Sequence, residues 1–184
     1  YTSELKRAQE TLDLILKELN SSLNPNTNKA LNERNYGDLV GQNKKEAAIK
    51  FGKEQVQIWR RSYDTPPPGG ESLKMTCDRT LPYFASILNN IYDGNDVIIA
   101  AHGNSIRAIV MKIFNYTPEL ILKTEIGWCE PWIITFNDNK ELEKPDMPEM
   151  NQMNNIFEST NIGKLAKEIA EGMDLESMMG SNNG

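Results

Sequence analysis

Val97-Ile98-Ile99-Ala100-Ala101-His102-Gly103-Asn104-Ser105 is an apolar, largely β-branched run that stops abruptly on the only histidine of the chain. The run predicts a buried strand over Val97–Ala101 whose C-terminal tip presents an imidazole. In open α/β sheets, ligands bind at such tips. Gly103 permits a sharp turn there. Asn104 and Ser105 are candidate caps for a helix from Ile106 to about Phe114, whose N-terminus favours an anion. One short segment thus joins a titratable ring to a place for negative charge.

Outward from this point, helical patterns alternate with extended ones. The expected class is α/β, a mostly parallel sheet flanked by helices. Leu5, Ala8, Leu12, Ile15, Leu16 and Leu19 share one face of a predicted helix over Glu4–Leu19, with Ser3 as its cap. Ser21–Asn28 reads as loop, and Ala30–Gly37 as a polar, functional loop. Lys44–Phe51 predicts a helix ended near Gly52, and Glu54–Tyr63 a second one bearing Trp59-Arg60-Arg61. Pro66-Pro67-Pro68-Gly69-Gly70 stops regular structure and is expected to be stiff and extended. A long amphipathic helix is predicted over Glu71–Ile91, with a kink or break at Pro82. Pro131–Phe136 reads as a strand and Asn137-Asp138-Asn139 as a turn. Residues 1–143 read as one domain. Residues 144–184 read as a linker and a short amphipathic helical tail containing Ile162, Leu165, Ile169 and Met173.

Composition narrows the function classes. A net charge of −6 argues against nucleic-acid or anionic-membrane partners. No apolar run is long enough to span a bilayer, and no signal-peptide pattern opens the chain. Cys77 and Cys129 do not form a metal-type pair, and with a single histidine a zinc cluster is not expected. A reducing cytoplasm is the default compartment. The chain opens on Tyr1 rather than Met, as expected of a processed or cut-down piece.

Several side chains are candidates for chemistry, each with a plainer alternative. Arg7, Arg34, Lys44, Arg60 and Arg61 fall near candidate loops. Arg60-Arg61 beside Trp59 suits a highly charged target such as a phosphate ester or dicarboxylate, or else is a solvated helix face with Trp59 in the core. Glu33 is either an acid/base group or a surface charge. His102 is either structural or catalytic. Tyr36 is core or a ligand platform. Glu71 fits a helix start, and it can also buttress a nearby cation.

Five blocks, in order, resemble the cofactor-dependent phosphoglycerate mutases of the histidine phosphatase superfamily. They are Tyr1-Thr2-Ser3-Glu4-Leu5-Lys6-Arg7-Ala8, Leu31-Asn32-Glu33-Arg34-Asn35-Tyr36-Gly37, Trp59-Arg60-Arg61-Ser62-Tyr63, Gly70-Glu71-Ser72-Leu73-Lys74 and Ala100-Ala101-His102-Gly103-Asn104-Ser105-Ile106-Arg107. The blocks keep nearly the family's spacing from Tyr1 to about Phe136. The resemblance implies a histidine-phosphatase-like fold and interconversion of 3- and 2-phosphoglycerate in glycolysis. The reaction would pass through a phosphohistidine, with 2,3-bisphosphoglycerate as phosphoryl donor and no metal. Glu33 would be the general acid/base, His102 would stabilise the transferring phosphoryl group, and Arg7 would hold its oxygens. Arg34, Asn35, Tyr36, Lys44, Arg60 and Arg61 would bind substrate, and Gly103 and Asn104 would close around phosphate. Small phosphorylated glycerates are the implied partners, and homo-oligomers the implied assembly.

The chain also departs from the family's pattern. The family's nucleophile belongs to an Arg-His-Gly motif on a central N-terminal strand ahead of the segment matching Tyr1. No residue here matches it, so the expectation is a chain without that strand, inactive alone, with unpaired neighbouring edges. A phosphatase, in which water takes the phosphoryl group, is a variant of the same chemistry. A different class stays open: a non-catalytic bisphosphoglycerate-binding or interaction protein that has lost its nucleophile. Trp128-Cys129 stand where the family carries Thr-Gly, either crowding a close backbone approach or making a harmless loop change. The tail is read as a lid or a partner-binding helix.

Overall fold

The computed structural model describes residues 1–143, and among them six helices and one two-stranded hairpin are formed. The predicted linker and helical tail over 144–184 lie outside the described residues. The first helix, α1 (Lys6–Glu18), buries Ala8 and Leu12. It starts later than expected. Leu5 is its N-cap, no side chain caps it, and Ser3 is not its cap. The next helix, α2 (Lys44–Phe51), has the expected bounds because both ends are encoded locally. Asn43 accepts the Lys45 N–H, and Gly52 takes a φ of 85°. The short α3 (Lys53–Arg61) follows directly and ends on Arg60 and Arg61.

The longest helix is α4 (Leu73–Tyr92), capped by Ser72, whose side chain accepts the Met75 N–H. Pro82 lies inside it without breaking it. The proline forfeits one backbone hydrogen bond, and buried Thr80, Phe84 and Ile87 hold the helix on either side. The next helix, α5 (Gly103–Ile113), begins three residues before the expected Ile106. Asn104 and Ser105 are therefore inside it, and His102 is the N-cap. The serine still serves the helix start, since its Oγ accepts the His102 N–H at 3.1 Å. A short α6 (Pro118–Lys123) was not expected. Thr117 caps it and Pro118 opens it.

Packing of α4 against α5 makes two apolar clusters. One contains Leu73, Cys77, Ala108, Val110 and Ile121, with Phe114 and Trp132 against it. The other contains Leu31, Phe84, Ile87 and Ile109, with Tyr1, Val97, Ile99 and Ala101 against it. Burying each large side chain stabilises by about 1.5–3 kcal/mol. The second cluster is what ties the segment before His102 to the helices.

The expected parallel sheet is represented only by single bridges among the described residues. Thr2 pairs in parallel with both Thr27 and Ala100. Tyr1–Ser3 thus lies between two extended segments, with Thr2 N donating to Asn26 O and Ala100 N to Tyr1 O. No ladder propagates. After Ser3 the chain turns into α1, and after Asn28 it enters a 3₁₀ turn over Lys29–Leu31. The strand expected over Pro131–Phe136 is reduced to β1 (Thr135–Phe136), antiparallel to β2 (Leu142–Glu143). Asn137–Glu141 closes this hairpin, as the predicted turn requires. Among the described residues no helix is long and apolar enough to cross a membrane.

Candidate active site around His102

His102 is held at the end of the extended segment by the second apolar cluster and at the start of α5 by Ser105. Its ring is largely enclosed, with the residue 8% exposed. Nε2 lies 2.7 Å from Ser3 Oγ, itself fully buried. Burial pushes the ring's pKa down to about 4, the positive charges of Arg7 and Arg79 act in the same direction, and Glu33 partly opposes them. The imidazole is therefore neutral at neutral pH, a hydrogen-bonding group rather than a cation.

Glu33 arrives at the same place from far away in the chain. Its Oε1 accepts the Asn104 N–H at 3.2 Å and the Arg34 N–H at 2.7 Å. The carboxylate thus sits at the positive end of α5, where a negative charge is favoured. Gly103 lies beside it, and a Cβ there would come 3.9 Å from Glu33 Oε2. Asn104 Nδ2 donates to the Tyr36 hydroxyl at 3.1 Å. The Arg34 guanidinium lies 4.6 Å from the Tyr36 ring centre and donates from Nη2 to Trp59 O at 2.6 Å. Arg34 is 3% exposed, and its Nε has no partner among the described residues. Burial lowers the Arg34 pKa, while Tyr36 and Glu33 raise it and Arg60 lowers it further.

Glu33, Tyr36, His102, Gly103 and Asn104 are thus brought together, with Arg34 adjoining through Tyr36. Arg7 and Arg60 are exposed, the first close enough for its charge to act on His102 and the second on Arg34. Asn35 is exposed and takes part mainly through its backbone, its N–H donating to Glu71 Oε2 at 2.9 Å. Arg61 is exposed at the end of α3 and makes no hydrogen bond or ion pair with this group among the described residues. Lys44 is the first residue of α2. Trp128 is 61% exposed, so it crowds no described backbone.

Three contributors escaped sequence reasoning in whole or part. Ser3 was expected to cap α1 and instead contacts His102. Glu71 does buttress a cation, and that cation is Arg79, which sequence reasoning did not single out. An arginine within an amphipathic helix carries no signal that separates it from a solvated one.

Comparison with known proteins gives the family and the fold. Residues 1–144 match the histidine phosphatase superfamily (branch 1). A 2,3-bisphosphoglycerate-dependent phosphoglycerate mutase of Rhodopseudomonas palustris is 53% identical over 152 residues, 81% of this chain and 73% of that protein. One from Nitrobacter winogradskyi is 55% identical over 139 residues, 74% of this chain and 67% of that protein. A solved mycobacterial glucosyl-3-phosphoglycerate phosphatase with inorganic phosphate superposes with a TM-score of 0.58 at 23% identity, covering 66% of this chain and 60% of that one. That likeness supports the fold, which is histidine-phosphatase-like. With about half its positions shared with curated mutases over some four-fifths of its length, the chain belongs to the 2,3-bisphosphoglycerate-dependent phosphoglycerate mutases of the histidine phosphatase superfamily.

Proposed function

We propose that this chain serves the interconversion of 3-phosphoglycerate and 2-phosphoglycerate, with the group around His102 as its active site. The observation that carries the reading is the bond from Asn104 N to Glu33 Oε1, which brings a carboxylate to the helix end beside a neutral imidazole. Phosphoryl transfer is mostly positioning and charge neutralisation. Glu33 removes a proton from the accepting hydroxyl and returns one to the leaving oxygen, a pair of tasks open to one carboxylate. His102 donates a hydrogen bond to the transferring group, and Arg7 neutralises its oxygens. Arg34, Asn35, Tyr36, Lys44, Arg60 and Arg61 hold the substrate's carboxylate and second phosphate, while Gly103 and Asn104 enclose the phosphate at the α5 terminus.

2,3-Bisphosphoglycerate fits these residues on two counts. The buried Nε of Arg34 has no partner among the described residues, and the start of α5, where the Asn104 N–H already meets Glu33, lies beside His102. When bound it supplies the phosphoryl group that the cycle starts from. The family's phosphoryl-carrying histidine belongs to an Arg-His-Gly motif that residues 1–184 do not contain, so His102 holds the second imidazole's place. The same reading includes three parallel extended segments, centred on Thr27, Thr2 and Ala100, as part of a larger parallel sheet. It also includes small phosphorylated glycerates as partners, a homo-oligomeric assembly and a cytoplasmic location.

The test is Glu33→Gln in the protein that carries the Arg-His-Gly motif, assayed with 3-phosphoglycerate and 2,3-bisphosphoglycerate. The loss of kcat should be about 10²–10⁴-fold, the usual worth of a general acid/base. Turnover within a factor of about three of the parent, or a parent with no mutase activity, contradicts the assignment.

A further inference from the structure

Arg79 stands on α4, yet its guanidinium is directed at the segment that carries Glu33. Nε donates to Glu71 Oε1 at 2.8 Å, and Nη2 to Glu71 Oε2 at 3.0 Å. Nη1 donates to Ala30 O at 2.8 Å and Lys29 O at 3.4 Å. Nη2 also reaches Asn32 O at 2.9 Å and Glu33 O at 3.2 Å. Glu71 closes the circuit. Its Oε2 accepts the Asn35 N–H at 2.9 Å, and its own N–H donates to Asn35 O at 2.7 Å. Thr80, fully buried, adds a bond from Oγ1 to Ala30 O at 2.8 Å.

The arrangement does more than pair two charges. Beyond one 3₁₀ turn, residues 29–35 have no helix or sheet of their own to take up their carbonyls. One side chain of five donors collects four of them. The side chains of Arg79 and Glu71 are 26% and 21% exposed, so the pair is well shielded from solvent competition. Burial alone would raise the Glu71 pKa, but bonds from Arg79 and Asn35 outweigh it and keep the carboxyl below its ordinary value. An open cleft of about 470 Å³ borders the clamp, lined in part by Asn28, Asn32 and Asn35.

We propose that Arg79, fixed by Glu71, is a positioning residue for the reaction: it sets the main chain of residues 29–35 so that Glu33 and Tyr36 meet Asn104 beside His102. The proposal rests on the role given to Glu33 above. Lysine cannot substitute, because a single ammonium cannot span the carboxylate and four carbonyls at once.

The test compares Arg79→Gln, Arg79→Lys and Glu71→Gln with the parent, all in the protein that carries the Arg-His-Gly motif, by amide hydrogen exchange and by kinetics with 3-phosphoglycerate and 2,3-bisphosphoglycerate. Arg79→Gln should speed exchange at the Asn35 and Asn104 amides about tenfold or more. It should lower kcat about tenfold to a hundredfold, the cost of an ångström-scale misplacement, with KM within about threefold. Glu71→Gln should move both readouts in the same direction by less, and Arg79→Lys should not restore kcat. Unchanged exchange at both amides overturns the proposal. So does full rescue by lysine, or a kcat loss that merely follows the folded fraction. A parent without mutase activity defeats the functional reading alone, because amide exchange still decides whether the clamp exists.

Discussion

Burial takes most of the basicity from His102, and this makes stability depend on pH. Its folded pKa is about 4, below the ordinary value of 6.5. Between those values the unfolded chain binds the proton and the folded chain does not, so stability is complete above about pH 6.5 and falls as pH drops toward 4. The loss is on the order of 2–3 kcal/mol. Urea titrations between pH 4 and pH 7 should show it, and His102→Asn should flatten it; an equal slope in the variant contradicts the assignment. The placement of His102 at the end of an extended segment was legible in the sequence, because an apolar run ending on a lone histidine is a local pattern. Its contact with Ser3 was not, since no spacing rule joins positions 3 and 102. Arg60 and Arg61 show a related limit. Adjacent residues on a helix point differently, and only the charge of Arg60 reaches the buried Arg34.

Elements were legible where their ends are written locally. The bounds of α2 follow from Asn43 and Gly52, whereas α4 starts at Leu73 after its Ser72 cap, two residues later than the expected Glu71, which lies outside the helix. The start of α5 was misplaced because histidine, not Asn104 or Ser105, occupies the cap. The six residues of α6 are too few to display a period. Extended segments were least legible, because bridges depend on partners distant in sequence. The Pro-rich link has a definite structural partner. Asp38 N donates to Pro68 O at 2.9 Å, and a Cβ at Gly37, where φ is 52°, would meet Pro68 O and Gly70 N. Gly37→Ala should therefore cost about 2 kcal/mol or more, because both the backbone conformation and the space are denied. Chemical denaturation checks it, and a change under about 0.5 kcal/mol shows that the two segments are not packed as described.

At the scale of the whole molecule, an acidic chain of net charge −6 brings the positive charges of Arg7 and Arg79 to bear on His102 and holds Arg34 beside Glu33. That distribution suits a small polyanion and not a nucleic acid. The family and its fold were legible because five ordered blocks carry them. Which extended segments bridge was not, because the bridges join positions far apart in the chain. The central claim is that a phosphorylated glycerate is gripped beside His102, and as the single histidine of residues 1–184 its ring is directly measurable in that chain. The imidazole signals should be followed by NMR against pH, with and without 2,3-bisphosphoglycerate. Bound anion should move those signals and raise the ring's pKa from about 4 toward neutrality. Signals and pKa unchanged at saturating bisphosphoglycerate would contradict the account.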